Sequence, residues 1–274
     1  MKQATLWALF LSFFVLSSAM ATPPDENPEY LFEQGLKAYS DGNLEQAKEF
    51  YANAYTLEPN NPNLAYNLAV VFMAREEIGA SIAMLRRAIH LSPTFSSARK
   101  ALEKAFEKTS TQTASEKLTN YEVLRFYLLG RIPAMIFFFI TAILFLFAGW
   151  TFIGWLGQRK RAKIDELENP VIPTSAIVLL SCLAISLFLT GFKVFDGFQT
   201  RGSIVEKNVE LHSGPSSEHP KIAELFEGFD VIIKRRKDQW VQVQHPGGYS
   251  GWLDSSKLFE YSTDSSRIQF DEEK

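Results

Sequence analysis

Residues 132–156 read IPAMIFFFITAILFLFAGWTFIGWL, and residues 171–192 read VIPTSAIVLLSCLAISLFLTGF. Neither run contains a charged side chain. A helix of about 20 apolar residues spans the hydrocarbon core of a bilayer. The two runs therefore predict a two-helix transmembrane hairpin over residues 132–156 and 171–195, joined by a short basic loop at residues 157–170.

The basic loop also predicts an orientation. It carries Arg159, Lys160, Arg161 and Lys163, and Lys and Arg in short loops stay on the cytoplasmic side of a membrane. Residues 1–21 agree with this topology, because a basic start, an apolar stretch and an A-x-A pattern are typical of a signal peptide. We therefore expect the parts before and after the hairpin to lie on the exported side.

The overall composition fits a membrane anchor with small soluble modules. The chain has 274 residues, of which 46% are hydrophobic, and a formal net charge of -3. Without a basic recognition face, this charge gives no reason to expect nucleic acid as a partner. The only cysteine, Cys182, lies in the second apolar run, so an intrachain disulfide is ruled out.

The region before the hairpin contains an internal repeat of 34 residues. Small residues and prolines recur at this spacing, as in the pairs Gly35 and Ala69, Ala54 and Ala88, Pro59 and Pro93. This period and these residue types resemble the tetratricopeptide repeat. We expect repeats at residues 28–61 and 62–95 and an amphipathic capping helix that ends the domain (28–108). The second repeat departs from the pattern at Glu76, where Gly is usual, and at Ser81, where Ala is usual.

Apolar residues on the first helix of each repeat form the predicted binding groove. The resemblance to tetratricopeptide repeats implies that these positions line a concave peptide-binding surface, and the alternative is that they are core. A terminal carboxylate is not the expected ligand, because Phe32 and Leu36 stand where family members that bind one have Lys and Asn. Residues 121–129 are aromatic and could be an internal ligand. The predicted groove consists of Phe32, Leu36, Tyr39, Tyr66, Val70 and Met73.

The region after the hairpin predicts a small all-β domain. Short β-branched runs alternate with turn residues over residues 202–260, which favours a barrel with few unpaired edges. The order of VELHSGP, LFEG, DQWVQV, GWL and SSKL closely resembles the bacterial SH3 domain. Residues 109–131 are expected to be a linker and juxtamembrane segment, and residues 261–274 a disordered tail.

Two surfaces of this domain are candidate ligand sites. Trp240, Tyr249 and Trp252 could form an exposed aromatic platform, although such rings are more often core. The basic run at residues 234–237 is expected to tip a hairpin. A solvated face is its simplest interpretation, and contact with anionic lipid or wall polymer is the alternative.

The sequence contains no pattern typical of catalysis. The histidines lie in separate contexts, and no metal-ligand spacing, nucleophile elbow or phosphate-binding loop is present. We therefore expect a non-enzymatic protein with no cofactor and no metal site.

The order of the parts resembles the BatE-type proteins of the bacterial aerotolerance (Bat) group. It comprises tetratricopeptide repeats, a two-span hairpin and a C-terminal bacterial SH3 domain. The resemblance implies an inner-membrane protein with both soluble domains in the periplasm. It also implies partners among membrane proteins with von Willebrand factor A domains and a MoxR-type AAA+ ATPase. The alternative is an adaptor that binds peptidoglycan and recruits cell-wall enzymes.

Overall fold

A computed structural model of the chain describes residues 27–109, 125, 129–245 and 248–262. The predicted signal peptide, most of the predicted linker and residues 263–274 lie outside the described residues. The chain divides into two compact units, Met1–Glu58 and Pro59–Lys274.

The first unit holds one helical pair, α1 (Pro28–Ser40) and α2 (Leu44–Leu57). Asn43 begins α2, and its side-chain oxygen accepts a hydrogen bond from the backbone N–H of Gln46, as a capping residue should. Gly42 turns the chain between the helices with a φ of 78°. Gly35 is packed against the ring of Tyr51, since a Cβ at this glycine would lie 2.9 Å from the ring.

The second unit opens with the second repeat, formed by α3 (Pro62–Ala74) and α4 (Ile78–Leu91), and with the capping helix α5 (Ser96–Lys108). The two departures from the repeat pattern have a structural basis. Glu76 takes the left-handed conformation that Gly42 has in the first repeat, with a φ of 64°. Ser81 is fully buried, and its hydroxyl donates a hydrogen bond to the carbonyl of Ala69 on α3 at 2.8 Å.

Two long apolar helices follow, α6 (Ala134–Ile164) and α7 (Thr174–Gly197). Both are long and apolar enough to cross a membrane. With 31 and 24 residues, they extend about 46 and 36 Å at 1.5 Å per residue, whereas a hydrocarbon core is about 30 Å thick. Length and composition thus support membrane association.

The predicted basic loop is wrong in one respect, because its basic residues belong to α6, which ends only at Ile164. The physical reason is that Gln, Arg, Lys and Ala favour helix, and cations stabilise a helix C-terminus. Glu166 then closes the helix with a φ of 54°, and the N–H of Leu167 donates to the carbonyl of Ala162. The connection between the two helices is therefore residues 165–173.

Hydroxyl groups join α6 to α7. Thr141 Oγ1 lies 2.7 Å from Ser186 Oγ and 2.9 Å from Thr190 Oγ1, both within hydrogen-bond distance. Ser186 and Thr190 are buried. Small hydroxyl residues let apolar helices approach closely and hydrogen-bond across their interface.

The C-terminal part is an antiparallel sheet. Its strands are β1 (Arg201–Ile204), β2 (Asn208–His212), β3 (Lys221–Phe226), β4 (Asp230–Lys237), β5 (Trp240–Gln244), β6 (Ser250–Asp254) and β7 (Leu258–Glu260). They lie in the order β3-β2-β6-β5-β4-β1-β7. A buried cluster that includes Val209, Leu225, Val241 and Leu253 forms the core. The predicted fold class, helical repeats with two apolar helices and a small SH3-like β domain, is confirmed.

Helix α4 packs directly on the β domain. A Cβ at Gly79 would lie 2.1 Å from the carbonyl oxygen of Val205, so the two backbones meet at this point. Farther along α4, the guanidinium of Arg86 donates to Ser203 Oγ at 2.8 Å. Arg87 is 2% exposed and donates to the carbonyl of Tyr261 at 3.0 Å. A two-repeat array is expected to need additional packing, and the β domain supplies it for the second repeat.

A buried ionic network links the β domain to the end of α7. Asp230 Oδ2 lies 2.8 Å from Arg125 and 3.4 Å from Arg201, and its Oδ1 accepts the hydroxyl of Tyr261 at 2.7 Å. Asp196, in the last turn of α7, lies 3.1 Å from Arg125 and 3.2 Å from Arg201. Each arginine thus bridges a carboxylate of the helix and a carboxylate of the sheet.

The network changes the proton affinities of its members. Burial alone would raise the pKa of Asp230, but the nearby guanidinium groups, led by Arg125, and the hydroxyl of Tyr261 outweigh it and lower this pKa to about 2. Burial raises the pKa of Tyr261 to about 12, since the hydroxyl must stay neutral among apolar and charged neighbours.

Two predicted flexible segments are ordered where the structure describes them. Arg125 and Leu129 were expected in a linker, but Arg125 belongs to the ionic network and Leu129 is fully buried. Tyr261 was expected in a disordered tail, yet it is 2% exposed and hydrogen-bonded. The composition of these segments gave no sign of their long-range partners.

The substitution Asp230→Asn tests the ionic network. It leaves the buried Arg201 without its full countercharge, which typically costs about 3–5 kcal/mol. Asp254→Asn is the matched control, because Asp254 only accepts hydrogen bonds from Ser256, a role that Asn also fills. We expect a marked loss of melting temperature for the first variant and little change for the second.

A comparison of the wild-type protein with the Asp230→Asn variant at different pH values tests the pKa of Asp230. Because this pKa is lowered from 3.8 to about 2 in the fold, the stabilisation is present above pH 3.8 and is lost as the pH falls towards 2. The stability difference between wild type and Asp230→Asn should therefore shrink over this window. A difference that stays constant from pH 5 to 2 would contradict the account.

The substitution Thr141→Val tests the hydroxyl cluster between α6 and α7. Removing the bridging hydroxyl should destabilise the helix pair by about 1 kcal/mol, measured by detergent-induced unfolding in mixed micelles. The control Thr151→Val makes the same change where the hydroxyl donates to Ala148 of its own helix. Equal losses in both variants would show that the cluster does not hold the helices together.

Candidate binding surfaces

The first repeat presents two of its three predicted groove residues to solvent. Leu36 is 52% exposed and Tyr39 is 37% exposed. Phe32 is half-buried, and its ring centroid lies 5.7 Å from that of Tyr51 on α2. Phe32 therefore belongs to the packing between α1 and α2, whereas Leu36 and Tyr39 could contact a partner.

Tyr51 of α2 packs against α1, the helix that carries this surface. Burial raises the pKa of its hydroxyl, and the nearby Tyr39 raises it further. With its ring against both Gly35 and Phe32, Tyr51 fixes the spacing of α1 and α2. The exposed apolar side chains of α1 thus project from a helix that is packed against α2. This packing limits the entropy lost when a ligand binds.

The second repeat presents its predicted groove residues less openly. Tyr66, Val70 and Met73 on α3 are all half-buried. The ring of Tyr66 lies 5.2 Å from that of Phe95, which directly precedes α5. Part of this predicted surface is therefore covered by the start of the capping helix.

The two predicted tryptophans share one face of the β domain. Trp240 lies opposite Asp254 in the β5–β6 ladder, and Trp252 lies opposite Gln242. Residues two apart in a strand share a face, so the two rings are diagonal neighbours. The intervening Val241 and Leu253 are buried in the core, which places both tryptophans on the outer face, where they are half-buried.

We define the outer aromatic face as Trp240 and Trp252, and the neighbouring His212 is buried, at 8% exposure. It pairs with Trp252 across the β2–β6 ladder, and its ring meets that of Trp240 edge-on at 5.6 Å. The Nδ1–H of His212 donates to the carbonyl of His219 at 2.9 Å. The imidazole is thereby fixed in orientation, and its burial leaves the two half-buried indole rings as the ring surface of this face.

Tyr249 lies apart from this face. It precedes β6 and is 58% exposed, and its carbonyl accepts a hydrogen bond from the N–H of His245. Tyr249 lies two residues before Gly251 and four before Leu253, so it shares the side of the strand on which these two residues face the core. The three predicted ligand residues therefore do not form one platform.

The packing of α4 on the β domain is the feature that sequence reasoning missed. A signal was present, since Arg86 and Arg87 interrupt an otherwise apolar helix and Gly79 adds a position without a side chain. Arginines removed from solvent require partners, and here each has a partner in the β domain or just after it that lies more than 100 residues away in the chain. Local patterning could not identify them.

The described part of the chain contains no group of three or more His, Cys, Asp or Glu side chains that could hold a metal ion. His212 and His219 share a turn, as their spacing indicates, but the second contributes its carbonyl group to the first. What these surfaces can do chemically is bind by apolar contact, stacking and hydrogen bonding.

Comparison with known protein families identifies both soluble parts. Residues 38–105 match the tetratricopeptide repeat, and residues 205–260 match the bacterial SH3 domain. The first range runs from α1 into α5, and the second covers β2 to β7. No curated protein matches the chain. The chain thus carries a tetratricopeptide-type repeat region and a bacterial SH3 domain, which are types of protein-binding module.

Proposed function

We propose that this protein is a non-enzymatic membrane scaffold that presents its repeat region and its SH3 domain on the exported face of a bacterial inner membrane. The observation that carries the proposal is the packing of α4 on β1 together with the ionic link to α7. Through these contacts the second repeat, the SH3 domain and an apolar helix belong to one compact unit. The binding surfaces of this unit then have a fixed position relative to the membrane.

The exposed side chains of α6 and α7 support membrane insertion. Large apolar residues such as Phe139, Leu146 and Phe188 are 67%, 69% and 63% exposed. Exposed apolar surface on this scale is unusual for a soluble protein and suits contact with lipid. The polar side chains that link the two helices, by contrast, face each other.

The charge distribution supports the proposed orientation. Arg159, Lys160, Arg161 and Lys163 cluster at the C-terminal end of α6, which the positive-inside bias assigns to the cytoplasm. The repeats and the SH3 domain join the opposite ends of α6 and α7. At that end, the described residues directly before α6 include two cations, Arg125 and Arg131, against the four at the other end. Both soluble domains are therefore assigned to the periplasm.

The order of the modules supports a place in a Bat-type envelope complex linked to stress and aerotolerance. Proteins with von Willebrand factor A domains would meet the exported surfaces. A MoxR-type ATPase would meet the cytoplasmic end of the hairpin. Because α6 is about 16 Å longer than a hydrocarbon core, its basic end offers two to three helical turns for such a contact.

The substitution Leu36→Glu tests the repeat surface. Affinity purification of the full-length protein from native membranes should recover less of its partner proteins, because the change places a charge in an exposed apolar surface. Lys37→Glu is the matched control, since it introduces the same residue at the next exposed position of α1. Equal recovery from both variants and wild type would exclude this surface as the partner site.

The alternative function is an adaptor that binds peptidoglycan and recruits cell-wall enzymes. The outer aromatic face favours it, because two half-buried indole rings on one face suit contact with a glycan or a short peptide. We expect full-length protein in nanodiscs to be retained on purified sacculi and Trp252→Ala to weaken this retention. Tyr39→Ala, which removes an exposed ring from the first repeat, should leave it unchanged. Absence of wild-type retention would exclude the adaptor.

A further inference from the structure

The side chains of the basic run in the SH3 domain lie on both faces of strand β4, and all of them are exposed. Arg236 lies opposite Val241 in the β4–β5 ladder and forms an ion pair with Glu260. Arg235 lies opposite Gln242, and Lys237 lies opposite Trp240, on the other face. Among the described residues, the exposed Lys234, Arg235 and Lys237 form no ion pair.

The direction of β1 relative to the apolar helices follows from its contacts with α4. Val205, just past the end of β1, meets Gly79 at the start of α4. Ser203 meets Arg86 farther along the helix. The Arg201 end of β1 therefore lies towards the C-terminal end of α4.

That end of α4 lies towards the start of α6 and the end of α7. Arg99, in the following helix, donates to the carbonyl of Gly130 at 2.7 Å, and α6 begins four residues later at Ala134. Lys193 of α7 donates to the carbonyl of Leu129, and Arg201 pairs with Asp196. The Arg201 end of β1 is thus the membrane end.

Strand β4 runs back towards the membrane. It is antiparallel to β1, with Asp230 opposite Ser203 and Ile232 opposite Arg201, and the N–H of Ile233 donates to the carbonyl of Thr200 at 2.8 Å. Lys237 lies four residues beyond Ile233, or about 13 Å along the strand. The tip of the β4–β5 hairpin therefore extends past the point where the chain leaves α7.

We propose that this hairpin binds the phosphate headgroups of anionic lipids in the bilayer that α6 and α7 span. From Lys193, the first charged residue of α7, to its last residue, Gly197, the helix rises about 6 Å. A headgroup layer is about 5–8 Å thick, so the returning hairpin reaches its level. Trp240 stands opposite Lys237, and tryptophan favours the membrane interface. The proposal rests on the membrane insertion proposed above.

The test places a nitroxide at Gln239, in the turn of the hairpin, on a Cys182→Ser background. Full-length protein is reconstituted in nanodiscs of phosphatidylcholine, with or without phosphatidylglycerol, that contain a nickel-chelating lipid. We expect the nickel headgroup to broaden the nitroxide signal more strongly when phosphatidylglycerol is present. The triple variant Lys234→Glu, Arg235→Glu, Lys237→Glu should lose this increase, since cations near an anionic membrane surface supply the attraction to it.

The control variant Lys100→Glu, Lys104→Glu, Lys108→Glu makes the same change in net charge on exposed positions of α5 and should keep the increase. Failure to enter nanodiscs would contradict membrane insertion itself. Insertion without any lipid-dependent broadening, or broadening unaffected by the hairpin charges, would overturn the lipid contact alone. Signal changes caused by sacculi but not by phosphatidylglycerol would assign the hairpin to wall polymer and also overturn it.

Discussion

The carboxylate of Asp230 is the point on which the arrangement of the second unit depends. It is buried between Arg125 and Arg201, and the same arginines reach Asp196 at the end of α7. Buried ion pairs often add little net stability, but breaking one costs several kcal/mol. Their geometric demands are strict. The network therefore fixes the direction in which the SH3 domain leaves α7, and the second repeat, which packs on that domain, is oriented with it.

The second repeat is attached through packing of a different kind. At Gly79 the backbone of α4 meets that of Val205, and a side chain at this position would separate them. Arg87 donates to the carbonyl of Tyr261, the residue whose hydroxyl donates to Asp230. The second repeat, the SH3 domain and the end of α7 thus share partners, and we call this assembly of the second unit the composite head.

The fold could be predicted from the sequence wherever local pattern decides it. The 34-residue period places the helices of both repeats, and Gly42 and Glu76 adopt the same turn. Patterning failed where distant contacts decide. The face of Trp240 and Trp252 depends on strand register, and the burial of Tyr261 depends on Asp230. A short polar tail and an ordered strand extension have the same composition, so only the three-dimensional partner distinguishes them.

Pulsed electron paramagnetic resonance on a Cys182→Ser background tests the composite head most directly. One nitroxide is placed at Lys100 on α5 and the other at Glu224 on β3, both exposed positions. The account predicts one narrow distance distribution in nanodiscs, which broadens when Asp230→Asn breaks the ionic network. A distribution that is already broad in the otherwise wild-type protein would contradict the account, because it would show that the repeat region and the SH3 domain move independently.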